Sequence, residues 1–329
     1  MKKVSWGILS TAKIGTQKVI PGMQKGKYCN IAAISSRNLI AAKKAAAELE
    51  ISKAYGSYEE LLADKEIDAV YNPLPNHLHV EWTIKSLNAG KHVLCEKPVA
   101  MNYKEAVHLQ NEMKKFPKLK VMEAFMYRHH PQMQKLKTLV NDSAIGELRT
   151  ILTMFSYFND NPDDIRNKPD IGGGGILDIG CYCISFSRFI FDSEPKRVCA
   201  TIEYDPKLKT DRLVSAVMEF DKGNSAFTCS TQLTNHQYAK ILGTKGRIEI
   251  EVPFTPDPET SAKILLHNDG GSREFLFDPC DQYTIQGDMF SQAIINDTEV
   301  FTPFDDAVAN MKVIDKIFES GKTGKWIEL

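Results

Sequence analysis

The chain has 329 residues, of which 43% are hydrophobic and 25% charged, and its formal net charge at pH 7 is -1. These values are typical of a globular protein long enough for two domains, and they exclude a disordered or fibrous chain. No basic run is dense enough to neutralise a nucleic-acid backbone, and no window has the unbroken apolar length of a membrane helix. We therefore expect neither nucleic acid nor membrane as a partner.

The seven cysteines are scattered along the chain, which is typical of reduced thiols and predicts a cytoplasmic protein. Cys181 and Cys183 form the only close pair, and no further Cys or His stands near them at a regular ligand spacing. We therefore expect no metal site.

Short apolar runs alternate with amphipathic helical patterns in the first third of the chain. This alternation predicts a parallel sheet with crossover helices, which is a Rossmann-type α/β domain over residues 1–124. Ser57 and Asn102 are each followed three residues later by a glutamate, the spacing of a helix capping box. The predicted strands are Val4–Leu9, Ile31–Ser35, Ala69–Tyr71, Val93–Cys95 and Val121–Glu123.

The turn after the first predicted strand has small residues where dinucleotide-binding proteins have a glycine fingerprint. Ser10, Ala12 and Gly15 occupy the three positions of the Gly-x-Gly-x-x-Gly pattern. Such a turn lets a pyrophosphate approach the backbone at the N-terminus of the next helix. The pattern is degenerate and a tight loop is the alternative, but its position favours nucleotide binding. We expect Ser10, Thr11, Ala12 and Ile14 to contact the cofactor.

The second predicted strand ends in Ser35-Ser36-Arg37-Asn38. An NAD-binding domain has an acidic residue at this place, which holds the ribose 2′-hydroxyl. Hydroxyls and an arginine would instead hold a 2′-phosphate. Ser36 and Arg37 therefore predict NADP as the cofactor, with NAD and a merely solvated arginine as the alternatives.

Two further turns follow predicted strands, at the edge of the sheet where ligands bind in this type of domain. In Asn72–His79, we expect Pro73, Asn76 and His77 to line the cofactor, while His77 and His79 are more typical of structural histidines than of metal ligands.

The second of these turns is Glu96-Lys97-Pro98, where both charged residues are expected to contact the cofactor. A lysine at a strand end is suited to proton transfer, because its pKa changes readily on burial. The alternative is a solvated Glu–Lys ion pair.

After Glu147 the sequence changes to a succession of strands with few helices until the last part of the chain. This pattern predicts a C-terminal α+β domain over residues 125–329 with a large, mostly antiparallel open sheet. Its free face is a natural surface for a homodimer or higher homo-oligomer. The predicted strands are Leu148–Phe155, Arg197–Tyr204, Val214–Phe220, Ala226–Leu233, Ala239–Leu242, Arg247–Val252 and Ala262–His267, and the closing helices are Gln282–Ile295 and Asp305–Phe318.

Several motifs occur in order and at matching distances: Trp6-Gly7-Ile8-Leu9 with its small-residue turn, Asn72-Pro73-Leu74-Pro75-Asn76-His77, and Glu96-Lys97-Pro98. This combination resembles the Gfo/Idh/MocA oxidoreductases. The resemblance extends to Glu123–Gln132 and to Gly172–Gly175 followed by Leu177–Tyr182. Many members of the family have a histidine at the position of Tyr182. A tyrosine there resembles the branch that contains glucose–fructose oxidoreductase, NADP-dependent D-xylose dehydrogenase and dimeric dihydrodiol dehydrogenase.

The resemblance implies an NADP-dependent enzyme of carbohydrate metabolism that transfers a hydride to or from a CH–OH group of a sugar, polyol or cyclic diol. Lys97 and Tyr182 are the candidates for the accompanying proton transfer. Asp178 lies four residues before Tyr182, on one helix face, and would bind substrate or orient Lys97. The alternative for Asp178 is a favourable position in a first helical turn. The resemblance also implies a cis peptide between Lys97 and Pro98.

The substrate site is expected to include Arg128, His130, Tyr157, Arg166 and Asp178, for which structural or surface roles are the alternatives. The Gly172–Gly175 run would let the backbone approach a ligand, or would serve as a flexible connection. The alternative function is a non-catalytic NADP-binding regulatory protein of the same fold. The presence of Lys97, Asp178 and Tyr182 favours the enzyme.

Overall fold

The computed structural model describes residues 2–329, which form two compact units. The first unit contains the residues up to Met126 together with Asp281–Val308, and the second contains Tyr127–Cys280 together with Ala309–Leu329. The division predicted from the sequence placed Asp281–Val308 in the second domain. Contacts that are distant in sequence hold this segment in the first unit, since Trp6 Nε1 donates to Ser291 Oγ at 3.1 Å and the Trp6 ring packs on Phe290.

The first unit contains a six-stranded parallel sheet in the order β3-β2-β1-β4-β5-β6. This is the strand order of doubly wound dinucleotide-binding domains. The strands are β1 Val4–Leu9, β2 Cys29–Ser35, β3 Lys53–Tyr55, β4 Ala69–Asn72, β5 His92–Cys95 and β6 Val121–Glu123; the helices are α1 Ile20–Gln24, α2 Leu39–Glu48, α3 Tyr58–Ala63, α4 His79–Asn88 and α5 Tyr103–Met113.

The predicted Rossmann-type sheet is confirmed. Of its six strands, only the short edge strand β3 was not predicted from the sequence. The predicted helix caps are also present, because Ser57 Oγ accepts the Glu60 N–H and Asn102 Oδ1 accepts the Glu105 N–H. Gly90 has a φ of +76° just after α4, a conformation that glycine adopts without strain.

The second unit contains a nine-stranded sheet in the order β14-β13-β12-β11-β7-β10-β9-β8-β15. Its pairs are antiparallel except β7 with β10, so the predicted mostly antiparallel sheet is confirmed. The elements are α6 Pro131–Asn141, β7 Leu148–Phe158, α7 Cys181–Phe191, β8 Arg197–Tyr204, β9 Asp211–Phe220, β10 Gly223–Ser230, β11 Gln232–Gly243, β12 Gly246–Ile250, β13 Ala262–Asn268 and β14 Gly271–Phe277, then α8 Gln282–Asn296 of the first unit, α9 Phe304–Thr323 and β15 Ile327–Glu328.

Most side chains of helix α7, in the second unit, are buried. The helical segment Pro169–Phe191 has the length and apolar composition to cross a membrane, which the search for an unbroken apolar run did not anticipate. However, 83% of its most apolar window is buried inside the protein. Such burial is typical of a core helix that packs on a sheet.

Candidate active site

The turn after β1 positions the residues predicted to bind the cofactor phosphates. Ser10 has a φ of +86°, the left-handed conformation that the first glycine of the fingerprint normally provides. Its Oγ accepts the Ala12 N–H at 3.2 Å, which stabilises this turn locally. A π-helical turn, Gly15–Val19, follows directly and leads into α1. Ser10 thus adopts a positive φ at the first position of the fingerprint without being glycine.

The loop after β2 carries a serine hydroxyl, an arginine guanidinium and an asparagine amide, and it contains no acidic residue. Ser36 Oγ accepts the Asn38 N–H at 3.2 Å, and Asn38 caps α2 by accepting the Ile40 N–H at 2.9 Å. Arg37 is exposed. Burial raises the pKa of the Tyr58 phenol, and the nearby positive charge of Arg37 partly offsets this rise. This set of a hydroxyl and a guanidinium fits the 2′-phosphate of NADP.

The carboxyl ends of β4 and β5 place Glu96 and Lys97 at the predicted edge. Tyr71 donates its phenol proton to Glu96 Oε1 at 2.6 Å, so Glu96 has a partner inside the unit. Lys97 is half-buried, and its backbone N–H donates to Glu96 Oε2 at 3.3 Å. The Lys97–Pro98 peptide is cis, which confirms the expectation from the resemblance.

The Asn72–His79 turn borders the same edge, with Pro73 buried, Asn76 half-buried and His77 exposed. His79 is fully buried, and both of its ring nitrogens face backbone carbonyl oxygens. The structure therefore gives His79 an internal role. Among residues 2–329, no group of three or more His, Cys, Asp or Glu side chains is arranged to hold a metal ion.

In the second unit, the Gly172–Gly175 run leads into a π-helical turn, Ile176–Gly180, and then into α7. A buried carboxyl, Asp211 at the start of β9, anchors this turn by accepting the Ile176 N–H at 2.6 Å. A Cβ at Gly174, whose φ is +120°, would lie 1.9 Å from Asp211 Oδ1. The glycine run was predicted to admit a ligand or to be flexible, whereas Gly174 instead admits the Asp211 carboxyl.

Asp178 lies on this π-helical turn and contacts two other residues of the predicted substrate site, Tyr157 near the end of β7 and Arg166 in a short turn after it. Tyr157 donates its phenol proton to Asp178 Oδ2 at 2.5 Å, and Arg166 Nε lies 3.3 Å from the same oxygen. Burial and the neighbouring Asp178 carboxylate raise the pKa of Tyr157 well above its usual value, and the same carboxylate raises the pKa of Arg166. The structure thus brings together three predicted residues as a neutral phenol, a carboxylate and a cation.

Tyr182 is one turn beyond Asp178 and is almost fully buried in an aromatic cluster. Its ring centroid lies 5.6 Å from those of Phe155 and Phe254 and 5.7 Å from that of Tyr127. These contacts fix the position of the ring on α7, because aromatic pairs at such distances are attractive.

Arg128 and His130 were predicted to bind substrate, but both are buried and hydrogen-bonded within the second unit. Arg128 Nη2 donates to Ser185 Oγ at 2.7 Å, and its guanidinium lies over the Phe189 ring. His130 Nδ1 accepts the Gln132 N–H, and its Nε2 lies 3.3 Å from Cys280 Sγ. Burial lowers the pKa of His130 to about 4. These contacts favour structural roles over the predicted substrate contacts.

A doubly wound parallel sheet with a tight small-residue turn after β1 is typical of a dinucleotide-binding protein. The chain matches the model of the oxidoreductase family with an NAD-binding Rossmann fold over residues 4–125. It matches the Gfo/Idh/MocA C-terminal domain over residues 133–249. The chain belongs to the Gfo/Idh/MocA family and is an oxidoreductase, as the sequence motifs predicted.

Relatives match along almost the whole chain. It is 40% identical to an uncharacterized oxidoreductase of Rhizobium meliloti, with 99% of each chain covered. It is 38% identical to a D-xylose 1-dehydrogenase (NADP(+)) of Haloferax volcanii, covering 98% of this chain and 99% of the relative. A 3-ketoreductase from Actinomadura kijaniata, solved in complex with NADP and TDP-benzene, is 26% identical with a TM-score of 0.91, covering 97% of this chain and 98% of that chain.

Proposed function

We propose that the protein is an NADP-dependent dehydrogenase or reductase that acts on a CH–OH group, or the corresponding carbonyl, of a sugar, polyol or cyclic diol. The Tyr157–Asp178–Arg166 cluster carries this proposal. Asp178 is a strong acceptor and Arg166 a partly exposed donor, and several convergent polar groups are what a hydroxylated substrate requires. Relatives named D-xylose 1-dehydrogenase and trans-1,2-dihydrobenzene-1,2-diol dehydrogenase support the same substrate class.

The proposed chemistry divides between cofactor and protein. When bound, the nicotinamide supplies or accepts the hydride. Lys97 and Tyr182 are the proposed proton-transfer groups, because each carries a proton that it can exchange with an oxygen of the substrate. Asp178 would accept a hydrogen bond from a substrate hydroxyl and so orient the reacting carbon.

The direct test combines cofactor binding with turnover. Titration with NADPH, followed by its fluorescence, is expected to show saturable binding, and a panel of pentoses, hexoses, diols and dicarbonyls is expected to contain a substrate that changes the redox state of the cofactor. If NADPH binds and no member of such a panel reacts, the non-catalytic regulatory function replaces the enzyme.

Arg37 is the residue proposed to select NADP. Replacing Arg37 by aspartate is expected to weaken NADPH binding by roughly 10- to 100-fold, because charge-assisted hydrogen bonds to the 2′-phosphate are lost and a repulsive charge is gained. NADH binding should change little. The matched control is Lys43→Asp, which makes the same charge change at an exposed position of α2. Equal losses in both variants would mean that Arg37 has no specific role.

We further propose that two copies associate through the open face of the nine-stranded sheet. A shallow apolar groove on this face includes Leu152, Val217 and Trp326, whose side chains are 36%, 38% and 43% exposed. Exposed apolar groups that adjoin in one groove are typical of an interface. Light scattering is expected to show a dimer or higher oligomer.

The corresponding variant is Leu152→Arg, which places a charge in the groove and is expected to release monomers. The control is Leu276→Arg on the edge strand β14, where Leu276 is 66% exposed and does not line the groove. A wild-type monomer, or an oligomer that resists Leu152→Arg, would contradict this interface.

We also propose a cytoplasmic location, because the seven cysteines, all within the described chain, are free thiols.

A further inference from the structure

The Pro98–Val99 peptide, one residue beyond Lys97, is held at both its C=O and its N–H by buried side chains. His79 Nδ1 lies 2.7 Å from the carbonyl oxygen of Pro98. The N–H of the same peptide, on Val99, donates to Glu123 Oε1 at 2.7 Å. His79 and Glu123 are 1% and 2% exposed. Neither residue has a role in the proposed function so far.

Both side chains project from rigid elements of the first unit. His79 is the first residue of α4, and its own carbonyl accepts Asn72 Nδ2 from the end of β4 at 3.2 Å. Glu123 is the last residue of β6 and pairs in register with Cys95, two residues before Lys97. The peptide is therefore fixed from the helix side and from the neighbouring strand at once.

The His79 ring can donate to either of two carbonyl oxygens, because Nδ1 faces Pro98 O and Nε2 lies 2.6 Å from Leu74 O. Burial lowers the pKa of His79 to about 4, against the hydrogen bonds to the Pro98 and Leu74 carbonyls, which act in the opposite direction, so the ring carries one proton at neutral pH. The two contacts are nearly equal in length, so the distances do not decide between them. The hydrogen bond from the Val99 N–H to Glu123 is expected to polarise the peptide and to strengthen the Pro98 oxygen as an acceptor. The proton is therefore expected on Nδ1.

We propose that His79 and Glu123 are positioning residues that clamp the Pro98–Val99 peptide and thereby fix the backbone from which Lys97 projects. This inference rests on the proton-transfer role of Lys97 in the proposed function. The clamp matters because a proton-transfer group must lie within hydrogen-bond reach of the reacting oxygen, and a displacement of about 1 Å can lower the rate roughly 100-fold.

The test compares two substitutions of His79 that differ in where they place an amide nitrogen. His79→Asn puts a donor near the position of Nδ1 and should keep the Pro98 hydrogen bond, whereas His79→Gln puts it near Nε2 and should lose that bond. We expect kcat to fall roughly 10- to 100-fold in His79→Gln and much less in His79→Asn, with NADPH affinity within a few-fold of wild type in both.

Glu123 provides the second arm of the test. Glu123→Ala removes the acceptor and should lower kcat as His79→Gln does, while Glu123→Gln retains an acceptor oxygen and should preserve most of the activity. The matched control is His92→Gln, at the other end of β5, where Nδ1 accepts the Lys120 N–H at 3.0 Å. This variant should keep the wild-type kcat.

Neutron diffraction of the wild-type protein tests the clamp without any variant. A deuteron on His79 Nδ1 supports the clamp, and a deuteron on Nε2 alone overturns it. Wild-type kcat in His79→Gln together with an inactive Lys97→Ala would overturn the clamp and leave the proposed function intact. If Lys97→Ala itself keeps wild-type turnover, the proposed proton-transfer role fails, and the clamp fails with it.

Discussion

Replacing Lys97 by alanine is expected to lower kcat by about 1000-fold while NADPH affinity stays within a few-fold of wild type. A positioned acid or base contributes about 10²- to 10⁴-fold to such reactions, and the alanine side chain has no proton to transfer. Because Lys97 is only half-buried, we expect its replacement by alanine to leave the backbone of the turn in place. Steady-state kinetics and a fluorescence titration with NADPH measure the two quantities separately.

The role of the Lys97 proton is distinguished from that of its charge by Lys97→Arg. Arginine keeps the positive charge but does not deprotonate in proteins, so this variant should be nearly as inactive as Lys97→Ala. Lys85→Ala is the control, because Lys85 lies on α4, is partly exposed and pairs with Glu81 at 2.6 Å. Substantial turnover in Lys97→Arg would show that charge alone is required.

The parallel sheet was predictable because its strands are buried on both faces and therefore appear as short, continuous apolar runs. The missed strands β3 and β14 lack this signal, since each is an edge strand whose residues are partly or fully exposed. The strand β15 has only two residues. Edge strands are defined by backbone pairing, which leaves little trace in the pattern of apolar residues.

The packing of Asp281–Val308 in the first unit could not be predicted from the order of the elements in the sequence. It depends on contacts between residues more than 250 positions apart, such as the N–H groups of Lys27 and Tyr28, which donate to the Asp288 carboxylate at 2.9 and 2.8 Å. No local pattern specifies these pairings. The amphipathic pattern of α8 predicted the helix and not the unit in which it packs.

Lys97, Asp178 and Tyr157 stay predicted site residues, and for Lys97 and Asp178 the signal was a residue type within a local motif. Arg128 and His130 illustrate the opposite case, since their side chains suit a substrate site but their partners, Ser185 and Cys280, are distant in the chain. Asp211 was not identified, because nothing near it in the sequence marks it. The one available signal was the glycine run. Such a run indicates that another group lies close to the backbone, but it does not identify that group.

Asp211 leads to a second prediction with a large effect, on stability. Burial raises the pKa of its carboxyl to about 7, and the Asp178 carboxylate adds to this shift against the opposing N–H groups of Ile176 and Gly175. In the unfolded chain an aspartate titrates near 4. Between about pH 4 and pH 7 the folded protein therefore holds a proton that the unfolded chain has released, so the stabilisation from this group is complete below about pH 4 and is lost as the pH rises through about 7.

The expected size of this loss over the whole interval is about 4 kcal/mol in the free energy of unfolding, since each unit of pKa difference corresponds to about 1.4 kcal/mol. About 3 kcal/mol of it falls above pH 5. Asp211→Asn removes the titration and keeps an oxygen that can accept the Ile176 N–H. Urea denaturation at pH 5 and pH 8 should therefore show a smaller decrease in stability for Asp211→Asn than for the wild-type protein.

The control for this experiment is Asp205→Asn, which changes a carboxyl with the opposite shift. Hydrogen bonds from the Leu208 N–H and from Gln232 lower the pKa of Asp205 to about 2, so its contribution is present above about pH 4 and disappears only as the pH falls toward 2. Asp205→Asn should be less stable than wild type at both pH 5 and pH 8 and should keep the wild-type difference between them. An equal difference in Asp211→Asn would show that Asp211 is ionised throughout this range, and the turn at Gly174 would then be anchored by a charge rather than by a neutral acid.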